Sequence, residues 1–211
     1  MIAHRSFLFA VIAWIALFMA AALPARAAEA DPKDFVTQLA TNAIDTMTGK
    51  GIPDAERMAK FRTLFTGSVD LAEIGKFVLG RHWKGATVEQ QQDFLKLFED
   101  MVVLTWSTRF KDYGGSLKHH VTSVSLDPAR NTVIVDSLVD ADKQAPIQLQ
   151  WRLKAHDGSF KVTDLIINGA AMSITYYDEY RSILQNHGGK VDNLIKIMRE
   201  KVAEIESSKA R

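Results

Sequence analysis

The sequence predicts an α+β domain in which a curved four-stranded antiparallel sheet is packed by helices on one face. Three observations carry this. Apolar residues recur at intervals of three and four up to about residue 113, then at intervals of two through about residue 167, then at intervals of three and four again. The strand-like segments alternate apolar and polar residues, so one face is buried and the other wet, as in antiparallel sheets. Helices, then a meander of strands, then helices, with no repeat or low-complexity linker between them, is the order of an α+β fold.

The first 27 residues stand apart. His4 and Arg5 precede an uncharged stretch from Phe7 to Leu23, then Pro24 and the small-residue site Ala25-Arg26-Ala27. A basic start, an apolar core and small residues at −3 and −1 form a cleavable secretory signal, with cleavage expected after Ala27. The apolar run, about 17 residues, is at the low edge of what spans a bilayer. No Cys follows the site, so a lipoprotein is not indicated. Residues 28–211 are expected to form one domain. Without Arg5 and Arg26 the chain keeps 24 Lys+Arg against 25 Asp+Glu, a net charge of −1. That balance argues against nucleic acid as a partner and against tight electrostatic docking on anionic membranes. With no cysteine in the chain, neither disulfides nor thiolate chemistry contributes.

Asp31-Pro32 offers an N-cap with proline at the first helical position, and Phe35, Leu39, Ala43 and Met47 follow as an apolar stripe. Gly49-Lys50-Gly51 ends that helix. Pro53-Asp54 starts another, with Met58, Phe61 and Phe65 on its stripe. Asp70 with Glu73 resembles a capping box for a third helix carrying Leu71, Ile74 and Val78, stopped by Gly80. Thr87 with Gln90 opens the longest helix, roughly 87–113, with Phe94, Phe98, Met101, Thr105, Arg109 and Tyr113 on or near one stripe and Val102, Trp106 and Phe110 beside it. Gly114-Gly115 closes it. Strands are expected at 117–126, 131–139, 146–156 and 159–167. Turns are expected at Asp127-Pro128, Ala141-Asp142-Lys143 and Asp157-Gly158. Helices are expected from about Ala170 to His187 and from about Lys190 to Glu206.

Catalytic motifs are absent: there is no GxSxG, P-loop, HExxH or CxxC. His119 and His120 cannot both reach one metal ion from a single strand, because adjacent residues face opposite ways. They are expected at a turn or strand edge in water. Asp136, Asp164, Tyr176 and Tyr177 could supply acid–base groups to a pocket, which keeps a small pocket enzyme as one alternative and a pure interaction module as another. The aromatic side chains Trp83, Phe94, Phe98, Trp106, Phe110 and Trp151 serve equally well as a filled core or as the lining of a hollow one.

Residues 78–106, VLGRHWKGATVEQQQDFLKLFEDMVVLTW, resemble the signature of the MlaC-type family of periplasmic lipid-binding proteins, the toluene-tolerance class. The matches are Leu79, Gly80, Trp83, Thr87, Gln90, Phe94 and Phe98. A second segment matches at Val162, Asp164, Gly169, Met172, Tyr176, Tyr180 and Ile183. The chain departs from the family pattern at Ala171, where serine is usual, and at Tyr177, where arginine is common. The His187-Gly188-Gly189-Lys190-Val191-Asp192 stretch is similar to relatives associated with hopanoid biosynthesis.

The resemblance implies a carrier rather than an enzyme, without cofactor or metal. It would hold phospholipid acyl chains, or a hopanoid, in an apolar pocket between sheet and helices. It would be a periplasmic monomer that moves lipid between an outer-membrane lipoprotein complex and an inner-membrane ABC transporter with an MCE-domain protein. Inward stripes of facing elements nominate Val78, Trp83, Phe98, Met101, Trp106, Leu149, Trp151, Ile166 and Met172 as lipid contacts. A carrier is expected to hold a dry cavity near or above the upper end of the usual ~300–1,000 Å³.

Overall fold

The computed structural model describes residues 30–49, 51–112, 117–142 and 145–209. The signal at 1–27, the Gly114-Gly115 stop, Lys50, Tyr113 and Lys143 lie outside the described residues, as do the side chains of Arg109 and Phe110.

The first helix, α1, spans Pro32–Thr48. Asp31 caps it, accepting from the backbone N–H groups of Lys33 at 2.7 Å and Asp34 at 3.2 Å. Helix α2 (Asp54–Ser68) follows Pro53. Helix α3 (Leu71–Leu79) is capped by Asp70, which accepts from Glu73 N–H at 2.9 Å. The reciprocal half of that box is not made: Asp70 N–H donates to the Val162 carbonyl at 2.9 Å, and the Glu73 carboxylate pairs with Lys154 on the sheet. A 3₁₀ turn, Gly80–Gly85, leads to helix α4 (Val88–Asp112). There the capping box is complete: Thr87 N–H donates to Gln90 Oε1 at 2.9 Å and Gln90 N–H to Thr87 Oγ1 at 3.2 Å.

Strands β1 (Leu117–Asp127), β2 (Thr132–Ala141), β3 (Ile147–His156) and β4 (Ser159–Ile167) form an antiparallel meander in sequence order. Asp157 and Gly158 both take positive φ, as a two-residue hairpin turn of the primed type requires. The sheet has a fifth strand beyond the expected four: β5, Ala170–Ala171, pairs with Ile166 and Ile167. Its turn, Asn168-Gly169, also has positive φ at both residues. Two residues are too few to show a period of two, so the strand leaves only its turn in the sequence. Helices α5 (Met172–Asn186) and α6 (Val191–Lys209) complete the fold.

The buried side chains fall into three groups. Val78, Leu79, Phe94, Phe98, Tyr180, Leu184, Leu194 and Met198 join α3, α4, α5 and α6. Val36, Leu39, Ala40, Val135, Trp151, Leu153, Phe160 and Val162 seat α1 on the sheet. Met47, Phe61 and Val103 tie α1 and α2 to α4. Register shifts lie between Val121 and Ser123 on β1 and between Arg152 and Leu153 in the β3–β4 pairing. Such bulges bend the strands and change which residues face the helices.

Candidate functional site

A cavity of about 230 Å³ lies where the three groups meet, between the helix-facing side of the sheet and α1, α2, α3, α4 and the start of α5. Helix α1 contributes Leu39, Ala40, Ala43 and Ile44, and α2 contributes Phe61, Leu64 and Phe65. Leu71 and Ile74 come from α3, and Phe98, Val102 and Trp106 from α4. The sheet supplies Leu117, Val139, Ile147, Leu149, Trp151, Val162, Leu165 and Ile167, while Met172 and Tyr176 close the side at α5. The volume falls below the range expected for the carrier. Six of the lining side chains, Phe61, Phe65, Phe98, Trp106, Trp151 and Tyr176, are aromatic.

The polar chemistry at the wall is concentrated in one place. Asp164 and Ser173 line the cavity and are themselves buried. The Asp164 carboxylate accepts from Leu165 N–H at 2.9 Å, Ser173 N–H at 3.1 Å, Ser173 Oγ at 2.8 Å and the Arg152 guanidinium at 3.3 Å. Ala171, at the N-cap of α5, has no side chain to cap with, and Asp164 does that work from the neighbouring strand. With every lone pair engaged in holding structure, Asp164 is not placed as an acid–base group toward Tyr176. Asp136 lies on the opposite face of the sheet, accepting from Ser123 Oγ at 2.7 Å and Gln150 Nε2 at 2.9 Å. Tyr177 turns away from the cavity onto Phe77, with ring centroids 5.7 Å apart. The four candidate acid–base residues therefore do not converge.

Of the nine residues nominated from sequence, Phe98, Trp106, Leu149, Trp151 and Met172 line the cavity. Val78 is buried in the helix-side group, and Met101 and Trp83 pack against that group from its margin. Trp83 also lies beneath the Lys76 ammonium, 5.8 Å from the ring centroid. Ile166 faces the other side of the sheet: its partner on β3 is Gln150, whereas the inward Leu149 and Trp151 pair with Ile167 and Leu165. The register shift at Arg152/Leu153 reverses the parity of β4, so the inward set that runs through Val162 continues at Leu165 and Ile167. The lining residues of α1 and α2 sit on stripes visible in the sequence, such as Leu39 and Ala43 or Phe61 and Phe65. That they face a cavity is not visible there.

His119 differs from its expected place in water. It stands half-buried and edge-on to Trp151 with centroids 6.3 Å apart, and neither ring nitrogen has a hydrogen-bond partner. Burial, helped by the neighbouring His120, pushes its imidazole below the usual 6.5. His120 points the other way, toward Asp140 at 3.5 Å. Among the described residues no group of three or more His, Asp or Glu could hold a metal ion, and no helix is long and apolar enough to cross a membrane.

The family model for the MlaC protein matches residues 37–200. The intermembrane phospholipid transport system binding protein MlaC of Haemophilus influenzae is 25% identical over 138 residues, covering 64% of each chain. The toluene tolerance protein ttg2D of Pseudomonas putida is 24% identical over 132 residues, 60% of this chain and 59% of the relative. Both alignments span just under two thirds of the curated relatives' length. Among solved structures, a phospholipid-binding protein from Ralstonia solanacearum, in complex with a phospholipid, superposes with a TM-score of 0.73. It is 22% identical and covers 84% of this chain and 99% of its own, which shows a shared fold. With its strand meander, its helices on one face and a family match running from α1 into α6, the chain belongs to the MlaC family.

Proposed function

We propose that the protein is an exported periplasmic lipid carrier that takes phospholipid acyl chains into the cavity between sheet and helices. It would move them between an outer-membrane lipoprotein complex and an inner-membrane ABC transporter with an MCE-domain protein. The carrying observation is the lining: apolar side chains from α1–α5 and β1–β4 converge on one space whose only polar groups are fully engaged or aromatic. Apolar burial needs no compact motif. At about 0.8 kcal/mol per methylene, a 16-carbon chain gains on the order of 10 kcal/mol gross from a dry cavity while its head group stays in water. Transfer is then a matter of relative affinity, with no bond made or broken. At about 230 Å³ the cavity is smaller than the usual ligand pocket, so taking up a full acyl chain would require it to widen. Membership in the MlaC family and the phospholipid complex of the Ralstonia protein support this reading.

The test is to express Leu149→Asp and Trp151→Asp variants with the natural leader and to measure export, folding by circular dichroism, and lipid extracted from the purified protein. The expected result is normal export of a folded protein that carries no lipid. Wild-type lipid content in folded variants refutes the placement.

A further inference from the structure

We propose that the outer face of the α3–α5 pair is a docking surface for an anionic membrane. The inner faces of these two helices wall the cavity through Leu71, Ile74, Met172 and Tyr176. Their outer faces carry an apolar strip open to solvent. Phe77 is 47% exposed and Ile174 48%, and Tyr177 lies between the helices with its ring against both Phe77 and Gly80. Phe77 touches Tyr177 and Ile174 stands one turn before Tyr177 on α5, so these apolar side chains form a group, which needs a reason that scattered ones do not.

Charge says what covers the strip. Lys76 precedes Phe77, Arg81 follows the glycine that touches Tyr177, Lys84 is the penultimate residue of the 3₁₀ turn that this glycine opens, and Arg181 is one turn beyond Tyr177 on α5. All four are exposed, and none makes an ion pair with a described residue. Arg81 reaches only the His82 ring, at 3.4 Å, and Lys76 only Trp83. Two exposed acids lie on α5: Asp178 on the same stripe as Ile174 and Arg181, and Glu179 about 100° further round the helix. Glu73, at the start of α3, is neutralised by Lys154. Residues 28–211 together carry −1, so this patch is a local excess of positive charge on a near-neutral domain.

Aromatic and aliphatic tips inside a collar of unpaired Lys and Arg match the interfacial layer of an anionic bilayer, which takes up apolar tips and attracts each cation. Docking through this face would bring the outer side of the cavity wall against the membrane from which a lipid is drawn or into which it is delivered.

Co-sedimentation of the full exported chain with vesicles of phosphatidylethanolamine and phosphatidylglycerol, against vesicles of phosphatidylcholine alone, tests this. Wild type should sediment with the anionic vesicles only, and added salt should weaken the binding. Arg81→Gln with Arg181→Gln should lower partitioning roughly 30-fold, about five-fold for each cation. Phe77→Ser with Ile174→Ser should lower it too, and Asp178→Asn should raise it. Leu149→Asp, which alters the cavity and not this face, should dock as wild type, which separates surface docking from capture of vesicle lipid. Equal binding to both vesicle types, no binding to either, unchanged partitioning of the folded surface variants, or loss of docking by Leu149→Asp would overturn the proposal. So would a periplasmic cross-linking pattern in which this face contacts protein alone.

Discussion

Removing the Asp164 carboxylate should destabilise the fold far more than its single position in a strand suggests. In Asp164→Ala, the N–H groups of Leu165 and Ser173 and the Ser173 hydroxyl lose their acceptor, and α5 loses the cap that Ala171 cannot provide. Arg152, whose Nε is already buried without a partner, loses its counter-charge as well. Hydrogen bonds to a charged group contribute roughly 1.5–3 kcal/mol each and do not add, and breaking a buried ion pair costs roughly 3–5 kcal/mol. Arg152 keeps 29% of its side chain in solvent, which discounts the ion-pair share. The expected loss is therefore about 3 kcal/mol, out of a typical total of 5–15. For a domain of this size it lowers Tm by roughly 6–12 °C. Asp164→Asn keeps one acceptor oxygen for the two backbone donors and should lose about half as much. Urea denaturation followed by circular dichroism reads both values, with m unchanged if the unfolded states match. A loss below about 1 kcal/mol for the alanine variant would refute the capping role.

Further outcomes follow from single residues. Tyr180 is 2% exposed, its hydroxyl has no partner, and its ring contacts Phe94, Phe98 and Tyr176, so Tyr180→Phe should be neutral or stabilising by about 1 kcal/mol in urea denaturation. Burial also raises the Tyr180 phenol above its usual 10, so the folded state keeps its proton while the unfolded state loses it. Stability should then fall as pH rises beyond 10, and Tyr180→Phe should flatten that fall. His119 has the opposite dependence. Its depressed pKa means that the unfolded chain binds a proton first, so stability should fall as pH drops below 6.5, and His119→Leu should remove part of that acid sensitivity in melts taken across pH 7 to 5. Gly80→Ala should cost about 1–3 kcal/mol, because φ is +57° there and a Cβ would stand 2.9 Å from the Tyr177 ring.

Local chemistry made some of the fold readable from sequence. Asp31-Pro32, the Thr87/Gln90 box and Asp157-Gly158 each satisfy backbone groups within a few residues, so their effect does not depend on the rest of the chain. The faces of the long elements were less readable. Helix α4 is apolar on three sides: Val103 faces α1 and α2, Phe94 and Phe98 face α5 and α6, and Val102 and Trp106 face the cavity. A period of 3.6 cannot say which of these sides is hollow, so Met101 reads like Phe98, which reaches both α5 and the cavity, and on α3 Val78 reads like Leu71 and Ile74. On β4 the alternation itself misleads past the register shift, and Ile166 exchanges places with Leu165 and Ile167. The capping of α5 by Asp164 was hidden because the two residues it joins are separated by a hairpin.

The most direct test of lipid carriage is native mass spectrometry on the protein purified from its own periplasm, followed by extraction of whatever it holds. The expected result is a folded protein with phospholipid bound at a defined ratio, and a hopanoid in its place would keep the carrier and change its cargo. A protein that arrives empty and takes up no added lipid would contradict carriage.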